Sequence, residues 1–197
     1  MTRVALLAKA PRAGYVKTRL SAELGEQAAV DIYRQLGRQV IDQVSVGHTV
    51  TVWYAPHDAG DEMRLWLGDH EYLPQPEGNL GGRLAAAFQA HFDRGETPVV
   101  AIGADAPGVT AHAITQAATA LEAADVVIGP ALDGGYYLLA LKRPCPSLFE
   151  DIPWGTADVL QLTLAACKRR HYTVVELEPL RDLDTAEDWL ALRRGRT

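Results

Sequence analysis

The sequence predicts an α/β domain: a three-layer sandwich in which a mostly parallel mixed sheet is covered by helices on both faces. Short apolar runs alternate with segments whose apolar residues recur at three- and four-residue steps, the pattern of strands joined by crossover helices. The length of 197 residues fits one domain spanning 1–197, and such a chain buries roughly 70% of its unfolded surface. With 48% apolar and 22% charged residues, the composition is that of a globular protein and excludes disorder and fibrous repeats.

The elements follow in order. Arg3 to Ala8 is an apolar run ended by Lys9, Pro11 and Gly14, a buried first strand. Ala29, Tyr33, Leu36, Val40 and Val44 form a helical stripe starting near Gly25. His48 to Ala55 is β-branched and aromatic, a second strand. A helix through Met63, Leu65 and Trp66 follows, then a short strand at Glu71 to Pro74. Leu84, Ala87, Phe88, His91 and Phe92 give the next helix, stopped by Gly95 and Pro98. Pro98 to Gly103 is a buried strand, and Thr110 caps a helix carrying Ile114, Ala118 and Leu121. Strands at Asp125 to Ala131 and Tyr136 to Leu141, a helix from Val159 to Cys167, a strand at Tyr172 to Leu177 and a helix at Thr185 to Arg194 complete the chain.

Several function classes drop out on composition. The 19 Lys+Arg against 25 Asp+Glu give 19 − 25 = −6, with no basic block to track nucleic acid. Cys145 and Cys167 make neither a disulfide scaffold nor a CxxC, and the six histidines are scattered. The apolar run Val4–Ala8 is too short for a signal core or a membrane span, so the expected compartment is the cytoplasm.

Open α/β sheets bind ligands beyond the carboxyl ends of their strands. That rule selects Lys9 to Leu20, Gln75 to Arg83, Asp105 to Gly108, Asp133 to Tyr137 and Asp182 to Asp188. In the first, Lys9, Arg12, Lys17 and Arg19 crowd a loop turned by Pro11 and Gly14, suited to a diphosphate. It is neither a Walker A loop nor a GxGxxG fingerprint. Asp105 and Asp184 are hard oxygen ligands of the kind that share Mg²⁺ or Mn²⁺ with substrate phosphates. Each also has a local reading, Asp105 as a turn former before Pro107 and Asp184 as a helix N-cap. The DxDxT string Asp182–Thr185 stands near the C-terminus and not after a first strand, which argues against a phosphatase nucleophile. Gln75 and the glycines before Arg83 offer an amide and close backbone approach to a base, or form an ordinary connection. Asp133, Gly134, Gly135 and Tyr136 open space for a second substrate or make a hairpin turn. Trp154 reads as packing beside a helix cap at Thr156.

The order AKAP..G.VKTRL, Q..G.LG.R, G.D.PG, GP..DGGYYL, W.T and D.DT.ED, running from Lys9 to Asp188, resembles the radical-SAM/selenodomain-associated transferase 1 family. That family is a branch of the glycosyltransferase-A-like nucleotide-diphospho-sugar transferase fold, and some members are described as glycosyltransferases of arsenosugar synthesis. The resemblance implies that Lys9, Lys17 and Arg19 face nucleotide phosphates and that Gln75 and Gly81 approach the base. It puts Asp105 and Asp184 on a divalent ion, with Asp133 to Tyr136 and Trp154 lining the acceptor side. This chain has GADAPG where the family usually has GTDSPG, and Gly82 and Gly155 replace a common Glu and Ser.

The expectation is a metal-dependent transferase that moves a sugar from a nucleotide-sugar to a small hydroxylated acceptor, with Asp133 as general base. The nucleotide side comprises Lys9, Gly14, Lys17, Arg19, Gln75, Gly81 and Arg83, and the acceptor side comprises Gly134, Gly135, Tyr136, Trp154 and Thr156. The absence of Lys or Arg between Asp133 and Lys142 favours a neutral acceptor. The alternatives are a nucleotidyltransferase acting on a phosphorylated small molecule and a non-catalytic nucleotide-binding module.

Overall fold

The computed structural model describes residues 1–181, 183 and 185–194. Its strands are β1 (Arg3–Lys9), β2 (Thr49–Ala55), β3 (Glu71–Pro74), β4 (Val99–Gly103), β5 (Val126–Pro130), β6 (Tyr136–Leu141) and β7 (Val174–Glu176). The helices are α1 (Thr18–Leu24), α2 (Glu26–Val44), α3 (Gly60–Leu67), α4 (Leu80–Asp93), α5 (Ala111–Ala120), α6 (Val159–Arg169) and α7 (Ala186–Arg194). One sheet runs β3-β2-β1-β4-β6-β5-β7. β1 pairs parallel with β2 and β4, β2 with β3, and β5 with β7, whereas β6 runs antiparallel to both β4 and β5. Every strand except β6 therefore ends at one edge. The loop entering β6 opens at that same edge, which brings Asp133 beside the ends of β1 and β4.

The alternation in β1 explains the layers. Val4, Leu6 and Ala8 face α2, α3 and α5 through Val40, Met63 and Ile114. Ala5 and its neighbours face α4 and α6 through Leu84, Phe88 and Cys167. Each such Leu or Ile contributes roughly 1.5–3 kcal/mol by leaving water. A third cluster of Leu20, Ile32, Leu36 and Leu183 holds the C-terminal segment against α1 and α2, with Trp189 of α7 packed on it. Asn79 caps α4 by accepting from the Gly82 amide at 2.9 Å, and Thr110 caps α5 by accepting from the Ala113 amide at 3.2 Å.

Two expectations change. Residues 18–24 form α1, a separate helix before the one expected near Gly25. Leu65 lies outside the buried stripe of α3, at 83% exposure, while Met63, Trp66 and Leu67 are buried. No helix among the described residues is long and apolar enough to cross a membrane.

Candidate active site

Three cavities lie side by side over the carboxyl edge of the sheet. The first, about 320 Å³, is floored by β1 and β4 and lined by Lys9, Lys17, Tyr33, Gln75, Arg83 and Asp105. The second, about 380 Å³, is lined by Lys17, Arg19, Asp105, Asp133, Trp154 and Thr156. Lys17, Leu80, Asp105 and Tyr136 border both, so these two cavities share a wall. The third, about 760 Å³, adjoins the first through Lys9, Tyr15, Gln75 and Arg83 and extends to Pro56, His57 and Glu77.

Lys17 is the hinge of the shared wall. It stands just before α1 in the left-handed conformation, φ 46° and ψ 49°, which costs a non-glycine residue roughly 1–2 kcal/mol. That backbone turns its side chain inward. The ammonium donates to the Leu183 carbonyl at 2.6 Å and meets Asp105 Oδ2 at 2.9 Å. The Lys17 side chain is only 5% exposed, and that of Asp105 is 44% exposed. Arg19, two residues on, lines the second cavity and not the first. Arg12 is turned away, with its guanidinium bound to Glu62 at 2.9 Å and Asp58 at 3.3 Å. The Glu62 bond, followed by the Asp58 bond, raises the Arg12 pKa against the opposing effect of desolvation. Gly14 takes φ 75° with open space around it and lines none of the three cavities.

The first cavity gathers three cations, Lys9, Lys17 and Arg83, of which Lys17 is paired with Asp105. Arg83 is half-buried and donates to Gln75 Oε1 at 3.4 Å, and its Nε is buried without a partner. Among the described residues neither Arg83 nor Lys9 meets a carboxylate. Tyr33 accepts a hydrogen bond from the Lys9 amide at 3.0 Å. Burial, and then the Asp105 charge, push the Tyr33 phenol's pKa far above its usual value, so it stays neutral. Gln75 is 4% exposed, and its amide donates to the carbonyls of Ala8 and Trp53 at 3.2 and 2.7 Å. Both of its N–H groups therefore join the ends of β1 and β2.

On the second cavity, Asp133 Oδ1 accepts from the Gly135 amide at 2.9 Å, which fixes the carboxylate at the hairpin tip. Gly134 has φ 91°, and a Cβ there would overlap the Ala157 carbonyl. Its own carbonyl accepts from the Leu160 amide at 2.9 Å. Thr156 donates to the Pro153 carbonyl at 2.9 Å and holds the turn that carries Trp154. The Trp154 ring meets Tyr136 edge-on at 6.3 Å and stacks on Phe149 at 6.5 Å. Gly81 lies beneath that indole, which leaves no room there for a Cβ.

Among the described residues no three His, Cys, Asp or Glu side chains cluster as metal ligands. Asp184 lies outside the described residues. Asp105 Oδ1 receives no hydrogen bond among them and sits at the wall common to both cavities. One such carboxylate fits Mg²⁺ or Mn²⁺, which takes its remaining ligands from water and phosphate.

Sequence reasoning passed over several residues. Tyr33 read as core because its spacing matches the buried stripe of α2, yet its hydroxyl reaches the end of β1. Tyr15, 57% exposed between the first and third cavities, carried one signal, an aromatic ring inside a basic Pro/Gly loop. Pro56 and His57 carried none, and Glu77 only its place in the selected segment Gln75 to Arg83.

The sheet order, the lone reversed strand and the groove over the carboxyl edge define a glycosyltransferase-A-like fold. The chain belongs to the family DUF2064, described as "Uncharacterized protein conserved in bacteria", whose model matches residues 40–156. It is similar to the crystal structure of a candidate nucleotide-diphospho-sugar transferase from Desulfovibrio desulfuricans G20, with 33% identity and a TM-score of 0.94 over 100% of this chain and 87% of that one. The 4-diphosphocytidyl-2C-methyl-D-erythritol synthase of Anaerococcus prevotii DSM 20548 matches at 14% identity and a TM-score of 0.65, over 99% of this chain and 98% of that one. CMP:2-keto-3-deoxy-manno-octonic acid synthetase, solved with CTP, matches at 10% and 0.61 over 99% and 98%. The search of curated proteins finds no match.

Proposed function

We propose that the protein is a nucleotide-dependent transferase that moves a glycosyl group from a nucleotide-sugar to a small hydroxylated acceptor. The observation that carries the reading is the half-buried Arg83 guanidinium, which lines the first cavity with Lys9 and has no carboxylate partner among the described residues. A cation kept out of water without a counterion suits an anionic ligand, and a diphosphate supplies charge and acceptor oxygens together. The 33%-identical structural relative is named as a candidate transferase of the same donor class.

In this reading the donor diphosphate lies in the first cavity against Arg83 and Lys9, with its base toward Tyr15 and the third cavity. Mg²⁺ or Mn²⁺ at Asp105, with Asp184 as the second expected ligand, would neutralise charge on the donor phosphates. The acceptor occupies the second cavity. Its hydroxyl oxygen bonds to the anomeric carbon as the bond from that carbon to the phosphate oxygen breaks. Nucleoside diphosphate leaves, and Asp133 Oδ2 takes the hydroxyl proton. Oδ1 stays on the Gly135 amide, so the base keeps one orientation.

One observation favours nucleotidyl transfer as a second reading. Arg19 lines the second cavity, which is therefore not free of cations as the chain order after Asp133 suggests. A guanidinium there suits an acceptor phosphate attacking the α-phosphorus of an NTP. The test is incubation with Mn²⁺ and separate pools of NTPs and nucleotide-sugars. Nucleoside diphosphate released from a nucleotide-sugar, and lost in Asp133→Asn, is the expected result. Acceptor-dependent pyrophosphate from an NTP would replace this reading with the second.

A further inference from the structure

We propose that the Lys17 ammonium is a resident counterion of Asp105 that a divalent ion must displace before it can use both carboxylate oxygens. This rests on the proposed reading of the first cavity as a metal–nucleotide site. Three observations converge. The ammonium lies 2.9 Å from Asp105 Oδ2, the distance of a charge-assisted bond. Its side chain is 5% exposed, and the Leu183 carbonyl at 2.6 Å accepts a second of its three protons. The Lys17 backbone is held at φ 46°, an unfavourable conformation that aims the side chain at this one place.

Two cations cannot share Oδ2 at bonding distance without strong repulsion, so the lysine and the metal compete for it. Phosphate changes that balance. A diphosphate arriving with the ion offers the displaced ammonium new acceptor oxygens in the first cavity, which Lys17 already lines. Lys17 then passes from carboxylate to phosphate as the metal takes its place, and metal alone binds poorly. The same movement opens the Lys17–Asp105 wall between the two cavities, so the donor is expected to bind before the acceptor.

The experiment is a Mn²⁺ titration of the full chain without nucleotide, followed by the electron paramagnetic resonance of free Mn²⁺. Lys17→Gln and Lys17→Asn should bind Mn²⁺ on the order of tenfold more tightly than the wild type, a typical coupling between two sites. Asn accepts left-handed backbone readily, so Lys17→Asn preserves the turn. Lys17→Arg keeps the charge and should stay at the wild-type affinity. A wild-type measurement stands beside the variants: acetylation of the Lys17 amine, read by mass spectrometry, should rise when saturating Mn²⁺ is added. Neutral variants that bind Mn²⁺ no better than wild type, or Lys17 acetylation unmoved by Mn²⁺, would overturn the proposal. Neither readout uses a nucleotide, so failure of nucleoside diphosphate to bind the wild type would instead strike the proposed function.

Discussion

The indole of Trp154 lies on the backbone of Gly81, so close that a Cβ at Gly81 would overlap Nε1 and the adjoining ring carbons. A glycine in the first turn of α4 is thus explained by packing of the second cavity's wall. Gly81→Ala should force the ring away and destabilise the fold by about 1–3 kcal/mol, the usual cost of overpacking. Denaturant unfolding would measure the loss. An emission change that disappears in the Trp154→Phe background would tie it to this ring, and unchanged stability would mean the ring has room to slide.

Arg83 and Arg19 should separate the two cavities. Arg83→Ala removes charge-assisted bonds of about 1.5–3 kcal/mol and should weaken nucleoside diphosphates by roughly tenfold or more. The free nucleoside should be nearly unaffected. Arg19→Ala should change diphosphate affinity by less than about threefold while raising the KM for acceptor. Calorimetric titration of the variants with nucleoside and nucleoside diphosphate decides the first half, and acceptor kinetics the second.

Much of the fold is legible in the chain because burial writes a period. Residues 71–74 and 136–141 form strands at their expected bounds, and Thr110 caps its helix as its position before an apolar stripe implies. Strand direction is marked outside the strand: the five residues between β5 and β6 are too few for a parallel crossover, so the turn at Asp133 to Gly135 reverses the chain. Within Tyr136–Leu141 nothing distinguishes the reversed β6 from its parallel neighbours, since a strand buried on both faces reads the same either way. Residues 18–24 bury only Leu20, too little for a stripe, which hid α1. Side-chain direction was the larger loss at the site. Lys17 and Arg19 read as one phosphate-binding pair, but Lys17 stands on the wall between the two cavities while Arg19 lines the second alone. Arg12 read as one of four cations of that loop, and pairing with Asp58 and Glu62, some fifty residues away, takes it out.

Gln75 provides a structural control for the base-reading expectation. Gln75→Leu should strand the buried carbonyls of Ala8 and Trp53, at about 1–3 kcal/mol for each group left unsatisfied. The effect should appear as lost stability with or without nucleotide. If affinity for one base fell selectively while the denaturation midpoint held, Gln75 would be a reading residue.

Asp125 should give the fold a defined acid limit. Its carboxylate accepts from the Thr173 amide and hydroxyl at 3.0 Å each and from Arg143 at 3.0 Å. The Thr173 amide bond, then the Arg143 bond, lower its pKa from 3.8 to about 2. A folded pKa below the unfolded one means the stabilisation is fully present above pH 3.8 and is lost as pH falls through about 2. The stability difference between wild type and Asp125→Asn should therefore be constant from pH 5 to 7 and shrink below about pH 4. Parallel curves throughout would mean Asp125 keeps its ordinary pKa.

Lys17, Leu80, Asp105 and Tyr136 each border both cavities. A two-headed compound, with a nucleoside diphosphate joined to an acceptor mimic by a short tether, would need to cross only the thickness of one side-chain pair. Its second head would then meet its cavity at an effective concentration in the millimolar range or above. Two weak fragments would combine into a tight ligand, and the length of the best tether would measure how far apart the two reacting centres are held.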